Sequence, residues 1–327
     1  MNKILIYLTV LCFFIQTLIP LDSNGKSNIP HLLVMGDSIS SGWGLEGYKS
    51  GVDNESISSY GNILSKELGC KLGDSYLNLS VDGETTSGLL WRLSNLSEKE
   101  LSGFDAVIIS SGGNDLIDSL LPSAISLISE FTGNSYKSTD ILKKLGLASK
   151  GFMSSTKRIS DSIYSNLDSA LGIIKKNNPE AFISILSIYD PFKSAFDSKT
   201  MELIDTCVIA PCIDMINSRI KDAAEKNGVE FIDISKSFKS SATEYTNIKK
   251  FDIHPSAQGH RVIAENVLEA YKKHRSDGVF LLSNDGLMTD NTGTPVILVG
   301  VTSAAIFSGV AAVLFFSKHR KKSISKQ

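Results

Sequence analysis

The sequence predicts a three-layer α/β/α sandwich with a parallel sheet in the middle layer. Two observations predict it: short apolar runs recur along the chain, and longer segments with helical periodicity separate them. Strands that alternate with helices are typical of a parallel sheet covered by helices on both faces.

Five apolar runs are strand candidates. The third of them is entirely apolar, which is typical of a strand that is buried on both faces of a sheet. In chain order the candidates are Leu32–Met35, Tyr76–Leu79, Ala106–Ile109, Phe182–Leu186 and Val229–Ile234.

Three helices are predicted in the second half of the chain. Apolar residues recur close to every 3.6 positions in Ile159–Lys176, the pattern of an amphipathic helix. The segment Ile213–Asn227 precedes Gly228, and Asn-Gly is a helix stop signal. Pro255 suits the first turn of a last helix that runs to about His274.

The segment 116–157 interrupts the alternation. It is long and mixed, with helical pieces predicted at Leu120–Phe131 and Thr139–Leu147. Because it follows the loop at Asn114 directly, we expect it to cover a site at that loop.

Composition indicates an ordinary globular protein. Of 327 residues, 42% are hydrophobic and 21% are charged, and the formal net charge is −2. The predicted domain, residues 29–275, is long enough to bury a large core. The middle of the chain has no basic block, so nucleic acid is not an expected partner.

The N-terminal segment 1–25 is predicted to be a secretory signal peptide. It has Lys3 near its start, an apolar stretch after it, and small residues at its end, Ser23 to Gly25. An uncleaved N-terminal anchor is the alternative interpretation.

The C-terminal segment is predicted to cross a membrane. Residues 296–317 form the predicted helix, in which Val296–Phe316 carries no charge and would span about 31 Å. Residues 276–295 are rich in Ser, Asn, Asp, Gly and Thr and predict a linker. The basic tail 318–327 predicts a cytoplasmic end, which places the domain outside the cell. A buried core helix is the alternative.

The same end of the chain has a second interpretation. Thr292 and Gly293, followed by an apolar span and a basic tail, resemble a sortase cell-wall sorting signal. Thr289 and Asp290 stand where such a signal has Leu and Pro. Cell-wall attachment is therefore the alternative to a membrane anchor.

The cysteines predict an oxidising compartment. Cys207 and Cys212 flank Pro211, and a turn at Ala210-Pro211 would let them close a small disulfide loop. Cys70 is left over and is expected to be a buried small apolar residue. No pair of cysteines has the spacing of a zinc or redox site, so we expect neither a metal nor a cofactor.

Ser38 is a candidate nucleophile. It lies in Gly-Asp-Ser-Ile-Ser, directly after the first apolar run, where hydrolases often keep a nucleophilic serine. A serine hydroxyl needs a base to take its proton. The alternative is a serine that only caps a helix or forms a turn.

His254 is the preferred base among five histidines. It lies on a loop before the last helix, and open α/β sheets bind ligands where strands end and loops begin. His260, inside that helix, is the less favoured alternative. Asp252 is two residues before His254, so in an extended loop both side chains point the same way and can meet. A solvated carboxylate is the other interpretation of Asp252.

Three groups are candidates for binding an oxyanion. The backbone N–H of Ser38, the N–H of Gly83 and the side-chain amide of Asn114 follow three consecutive strand candidates. Donors aimed at a developing oxyanion are what acyl transfer requires.

Taken in order, these four motifs resemble the SGNH hydrolases, also called GDSL esterases or lipases. The matching residues are Ser38, Gly83, Asn114 in Gly-Gly-Asn-Asp, and His254 in Asp-Ile-His-Pro, over roughly residues 31–272. The resemblance implies a flavodoxin-like sheet, a metal-free serine hydrolase mechanism, and ester or thioester substrates.

The sequence departs from the family pattern at one position. The family usually has Asp three residues before the histidine, where this chain has Phe251. Either the loop is one residue tighter and Asp252 orients His254, or a backbone carbonyl does so.

The sequence as a whole predicts a membrane-anchored extracytoplasmic serine esterase. Its expected substrates are lipid, acyl or acetylated carbohydrate esters, cleaved through an acyl-serine intermediate. Two alternatives stay open: a surface binding or adhesion domain without turnover, and an acyltransferase or thioesterase.

Overall fold

The computed structural model of the chain describes residues 29–119, 138–193, 199–250, 252–285, 288–289 and 295–296. The predicted signal peptide, the predicted helix Leu120–Phe131 and the basic tail lie outside the described residues. So does the predicted membrane span 296–317, except for Val296.

Five strands form one parallel sheet, as the sequence predicted. The strand order is β2-β1-β3-β4-β5, which is the flavodoxin-type order of a doubly wound sheet. Strand β5 is shorter than the predicted Val229–Ile234. The strands are β1 Leu32–Gly36, β2 Tyr76–Ser80, β3 Ala106–Ser110, β4 Phe182–Leu186 and β5 Glu230–Ile232.

Helices fill most of the connections between these strands. Residues 113–119 are also helical. A π-helical turn covers Asp205–Ile209, a 3₁₀ turn covers Ile248–Lys250, and Met288–Thr289 pairs antiparallel with Pro295–Val296. The α-helices are α1 Ser38–Ser41, α2 Tyr60–Leu68, α3 Thr86–Asn95, α4 Glu98–Leu101, α5 Ser138–Asn177, α6 Lys199–Ile204, α7 Ala210–Lys226, α8 Ile234–Lys239, α9 Ala242–Tyr245 and α10 Ala257–Asp285.

The side chains of β1 show how the three layers are built. Successive strand residues point to opposite faces, so Leu33 and Met35 enter one core with α3, α5 and α7. Leu32 and Val34 enter a second core with α2, α8 and α10. All four side chains are fully buried. A sheet with an apolar core on each face is the predicted α/β/α arrangement.

Two helices are longer than the sequence predicted. The predicted helices Thr139–Leu147 and Ile159–Lys176 are parts of the single helix α5. Helix α10 continues to Asp285, through the first half of the predicted linker 276–295. Once a helix is nucleated, adding a residue costs little, and this half of the predicted linker contains the apolar run Val279–Leu282 and no proline.

The disulfide predicted between Cys207 and Cys212 is wrong, because both are free thiols. Ala210 is helical (φ −58°, ψ −45°) instead of forming a turn. The Thr156 hydroxyl donates to the Cys212 sulfur at 3.1 Å. Cys70, expected to be buried, is half-buried.

A membrane-spanning helix is not found in the part of the chain that the structure describes. Val296, the first residue of the predicted span, belongs to the short antiparallel pair.

We predict that Gly36→Ala strongly destabilises the fold. Gly36 has φ +123°, and a Cβ there would lie 1.9 Å from the Ser110 carbonyl oxygen. The backbone must therefore move, which adds to a strain of about 1–3 kcal/mol for the left-handed conformation. Gly103→Ala is the matched control, since Gly103 has φ +88° and no atom within 4 Å of the added carbon.

Thermal unfolding of both variants measures the difference. Gly36→Ala should lower the melting temperature by about 6 °C or more, and Gly103→Ala by clearly less. Equal effects of the two substitutions would contradict the proposed contact between β1 and β3.

Candidate active site

Ser38 lies at the first residue of α1, directly after β1 and Asp37. Asp37 caps this helix, because its Oδ1 accepts from the Ile39 N–H at 3.0 Å. Helix α1 has only four residues and ends at Gly42, which is left-handed (φ +87°). The N–H groups of Gly42 and Trp43 both donate to the Ser38 carbonyl, at 3.1 and 3.0 Å. Ser38 is 8% exposed, so little of the residue is accessible to solvent.

The turn that carries Ser38 is fixed against β3. The Asp37 N–H donates to the Ser110 carbonyl at 3.1 Å, and the Ser110 hydroxyl donates to Asp37 Oδ1 at 2.6 Å. Burial raises the pKa of Asp37 to about 6, although the hydrogen bonds from Ser110 and Ile39 oppose this. The Ser40 hydroxyl, on the buried side of α1, lies 2.6 Å from the Tyr60 hydroxyl.

His254 bridges Ser38 and Asp252. Its Nε2 lies 2.9 Å from Ser38 Oγ, and its Nδ1 lies 2.5 Å from Asp252 Oδ1. With a carboxylate at Nδ1, that nitrogen carries the proton of the neutral ring and leaves Nε2 to accept from the serine. The structure thus brings together the three residues that the sequence singled out as nucleophile, base and acid.

The loop geometry explains how an acid only two residues away reaches the histidine. Asp252 Oδ1 accepts from the backbone N–H of His254 at 3.0 Å as well as facing its ring. The Asp252 side chain therefore turns back toward the backbone of its own loop. In this conformation it reaches the His254 ring at a sequence spacing of two, so the usual spacing of three is not required. The loop is held by the Tyr189 hydroxyl, which donates to the Ile253 carbonyl at 2.8 Å, and by the Asn247 N–H, which donates to the His254 carbonyl at 2.9 Å.

His260 lies away from this arrangement. It is fully buried on α10, and its Nδ1 accepts from the Tyr60 N–H at 3.2 Å. Burial lowers the pKa of His260 to about 3, so it is a neutral core residue at ordinary pH.

Gly83 lies in a turn, whereas Asn114, expected on a loop, lies in the helical segment 113–119, and the turn and this segment are tied together. The Asn114 side-chain amide donates to the Glu84 carbonyl at 3.0 Å. Asp115 accepts from the backbone N–H and the hydroxyl of Thr86, at 2.9 and 2.7 Å. Gly83 has φ +75° and no atom within 4 Å of a Cβ position, so its turn is open on that side.

The helical segment that carries Asn114 also approaches the serine turn. A Cβ on Gly113, the residue before Asn114, would lie 3.9 Å from Asp37 Oδ2. Since the turn of Gly83 is tied to the same helical segment through Glu84, the candidate oxyanion donors gather at the end of the sheet where Ser38 lies.

Three further residues at the site were not singled out from the sequence. The Trp43 ring lies 5.8 Å from the His254 ring and 5.6 Å from the Tyr48 ring, measured between centroids. Asp82 accepts hydrogen bonds from three hydroxyls, those of Ser41, Tyr48 and Ser50. The available signal was position alone, since Trp43 follows the serine helix and Asp82 precedes Gly83 in the sequence.

The carboxylate of Asp82 is stabilised by these hydroxyls. Burial acts to raise its pKa, but the hydrogen bonds from Ser41, Ser50 and Tyr48 outweigh burial and lower it. Asp82 is therefore ionised and joins α1 to the turn of Gly83. Among the described residues, no group of three or more His, Cys, Asp or Glu side chains is arranged to hold a metal ion.

A family model matches residues 34–262 of the chain, and it is the model of the GDSL-like lipase/acylhydrolase family. The chain belongs to this family. Its members are carboxylic ester hydrolases, and the matched residues include Ser38, Gly83, Asn114 and His254. A comparison with curated proteins finds no match.

Three solved structures of similar fold are a phospholipase and two lipases. Phospholipase A1 from Streptomyces albidoflavus NA297 is 20% identical with a TM-score of 0.52, over 74% of this chain and 99% of that one. An extracellular lipase from Streptomyces rimosus is 22% identical with a TM-score of 0.50, over 73% and 98%. The lipase Lip_vut3 from a goat rumen metagenome is 20% identical with a TM-score of 0.50, over 73% and 97%. At these identities the likeness concerns the fold.

We predict that Asp37 makes the stability of this acylhydrolase fall between about pH 4 and pH 6. The folded protein holds a proton on Asp37 up to about pH 6, whereas the unfolded chain releases it near the ordinary value of 3.8. In that window the folded state binds more protons, so its free energy of unfolding decreases as pH rises.

Asp37→Asn removes this titration and keeps an Oδ1 acceptor for Ile39 and Ser110. Urea unfolding from pH 4 to pH 7 should show the wild type losing stability relative to this variant, by an amount on the order of 3 kcal/mol. Asp74→Asn, at an exposed site, is the control. The burial of a titrating Asp37 would be contradicted if the free energy of unfolding of the wild type, minus that of Asp37→Asn, stayed constant or increased as the pH rises through this window.

Proposed function

We propose that this chain is an extracytoplasmic, membrane-anchored serine esterase that cleaves carboxylic esters through an acyl-serine intermediate on Ser38. The observation that carries the proposal is the position of His254, whose two ring nitrogens lie 2.9 Å from Ser38 Oγ and 2.5 Å from Asp252 Oδ1. A serine, an imidazole and a carboxylate in this order are the groups that activate a hydroxyl for attack on a carbonyl.

Acylation begins when Ser38 Oγ attacks the ester carbonyl carbon and His254 Nε2 takes the hydroxyl proton. Asp252 keeps the Nδ1–H of His254 in place and stabilises the imidazolium that forms. The tetrahedral intermediate then expels the alcohol, and His254 gives its proton to the leaving oxygen. The product is an ester between the acyl group and Ser38.

Deacylation repeats the same steps with water. His254 takes a proton from a water molecule, which attacks the acyl carbonyl of the Ser38 ester. When the second tetrahedral intermediate breaks down, His254 returns the proton to Ser38 Oγ and the carboxylic acid leaves.

The carbonyl oxygen carries negative charge in both intermediates. The backbone N–H groups of Ser38 and Gly83 and the amide of Asn114 are proposed to donate to it. One N–H of the Asn114 amide donates to the Glu84 carbonyl, which fixes the amide plane and leaves its second N–H for the oxyanion.

The location of the enzyme is proposed from the sequence. The signal-peptide pattern of residues 1–25, the uncharged span 296–317 and the basic tail 318–327 support an anchor with the domain outside the cell. Lipids and acylated glycans are the proposed substrate classes, because both are esters available at a cell surface.

We predict that Ser38→Ala abolishes both turnover of a short p-nitrophenyl ester and covalent labelling by a fluorophosphonate, since both need the activated hydroxyl. Ser169→Ala, at an exposed position on α5, is the control and should keep both. Retained turnover in Ser38→Ala would refute the nucleophile. Labelling of the wild type without turnover of any ester in a panel of acyl lengths would refute hydrolysis.

Asp252→Asn tests the acid in the same assay. We expect kcat to fall by about a thousandfold or more, because an amide at this place favours the wrong tautomer of His254. A loss below tenfold would show that a group other than Asp252 orients the histidine.

We predict that removing residues 296–327 releases the esterase activity from the membrane fraction of the expressing cells into the medium. The full-length protein should stay with the membrane fraction after a high-salt wash. Full-length protein recovered in the soluble fraction would contradict the anchor. Mass spectrometry of the native C-terminus distinguishes the cell-wall alternative, which requires cleavage after Thr292.

A further inference from the structure

Trp43 is a large apolar side chain placed beside the candidate base. Its ring centroid lies 5.8 Å from that of His254, and 42% of the residue is exposed. The mechanism proposed above does not use it. The exposed part of this indole is therefore apolar surface that a ligand can cover beside the imidazole that moves the proton.

The backbone holds Trp43 to the nucleophile. Its N–H donates to the Ser38 carbonyl at 3.0 Å, and the left-handed Gly42 turns the chain directly before it. Gly44, directly after it, packs against the acid: a Cβ on Gly44 would lie 2.7 Å from Asp252 Oδ2. The position of the indole relative to Ser38, His254 and Asp252 is therefore set by the site itself.

The ring of Trp43 has a second aromatic neighbour. Tyr48 lies 5.6 Å from it between centroids, and the Tyr48 hydroxyl donates to Asp82 at 2.5 Å. Asp82 in turn accepts from Ser41 at 2.6 Å and from Ser50 at 2.5 Å. A ring that is already ordered loses little conformational freedom when a ligand packs on it.

The chemistry decides which part of an ester lies next to Trp43. His254 delivers its proton to the oxygen of the leaving alcohol, so the alcohol lies on the histidine side of Ser38. The acyl oxygen points instead toward the donors Gly83 and Asn114. Because Trp43 contacts His254, it is placed beside the alcohol part of the substrate.

We infer that Trp43 binds the alcohol portion of the ester and makes the enzyme select esters of large apolar or aromatic alcohols. The inference rests on the proposed function, because it needs Ser38 and His254 to perform ester cleavage. An apolar alcohol packed on the indole removes apolar surface from water, whereas a one- or two-carbon alcohol is too small to cover the ring.

Trp43 is expected to affect the rate of acylation but not the rate of deacylation. The alcohol is present only during acylation, so Trp43 acts on kcat/KM of each ester according to its alcohol. Deacylation starts from the same acyl-Ser38 ester whichever alcohol has left, and its rate does not depend on that contact. A residue that only supported His254 would change both steps and all substrates alike.

The test compares Trp43→Ala and Trp43→Phe with the wild type on two pairs of esters. Benzyl acetate and ethyl acetate share an acyl group, and their alcohols are similar in acidity. p-Nitrophenyl acetate and p-nitrophenyl hexanoate share an alcohol and differ in the acyl group. Thermal melting and the rate of fluorophosphonate labelling confirm that each variant is folded and keeps its nucleophile.

We predict that Trp43→Ala lowers kcat/KM for benzyl acetate by about tenfold, the scale of one lost aromatic contact, and for ethyl acetate by less than about twofold. Trp43→Phe should recover most of the loss. The acetate-to-hexanoate ratio and the rate of deacylation measured from an acetyl-enzyme burst should stay within about twofold of wild type, because neither involves the alcohol.

Three results would overturn the inference. Equal losses on benzyl and ethyl acetate with slower deacylation would make Trp43 a support for His254 only. A changed acetate-to-hexanoate ratio with unchanged preference for benzyl acetate would place Trp43 on the acyl side. Wild-type protein that cleaves none of the four esters would overturn the proposed function together with this inference. The first two results, in contrast, leave the proposed function intact and overturn only the role of Trp43.

Discussion

The candidate site depends on the close approach of two backbones at the carboxyl ends of β1 and β3. Gly36 leaves so little room that a Cβ would lie 1.9 Å from the Ser110 carbonyl oxygen. Because the strands meet this closely, the Asp37 N–H reaches that carbonyl and the Ser110 hydroxyl reaches the Asp37 carboxylate. α1 then begins at once, with Ser38 as its first residue. The serine is thus placed by the carboxyl end of an inner strand and not by a free loop.

The fold could be predicted because its signals are local. Each apolar run predicts a strand, and Leu32 to Met35 fill two cores because a strand alternates its faces. The ends of elements were harder to predict, since α10 runs to Asp285 into a segment whose overall content of Ser, Asn, Asp, Gly and Thr is typical of a linker. The disulfide was wrong for a related reason: the spacing of Cys207 and Cys212 does not reveal that the chain between them is helical.

In the candidate site, too, some features could be predicted from the sequence and others could not. The sequence motifs singled out Ser38, His254 and Asp252, but not how Asp252 reaches the histidine over a spacing of two. That depends on its Oδ1 accepting from the backbone of His254, which is a property of one folded loop. Trp43, Tyr48 and Asp82 could not be predicted, because their contacts join the loop after α1 to the turn of Gly83 and to the loop of His254, which both lie far away in the sequence. Their residue types alone suit any exposed turn.

The hydroxyl contacts of Asp82 have a consequence for how the site responds to heat. Between residues 43 and 52 only Leu45 is buried, so this segment is held mainly by polar contacts converging on one carboxylate. A segment that buries little apolar area has a small heat capacity of unfolding, and it opens more easily than the strands beneath it. Warming should therefore loosen the segment 43–52 beside His254 while the sheet and both cores remain intact. If Trp43 selects the alcohol of the ester as inferred above, this preference would be lost at a lower temperature than the fold.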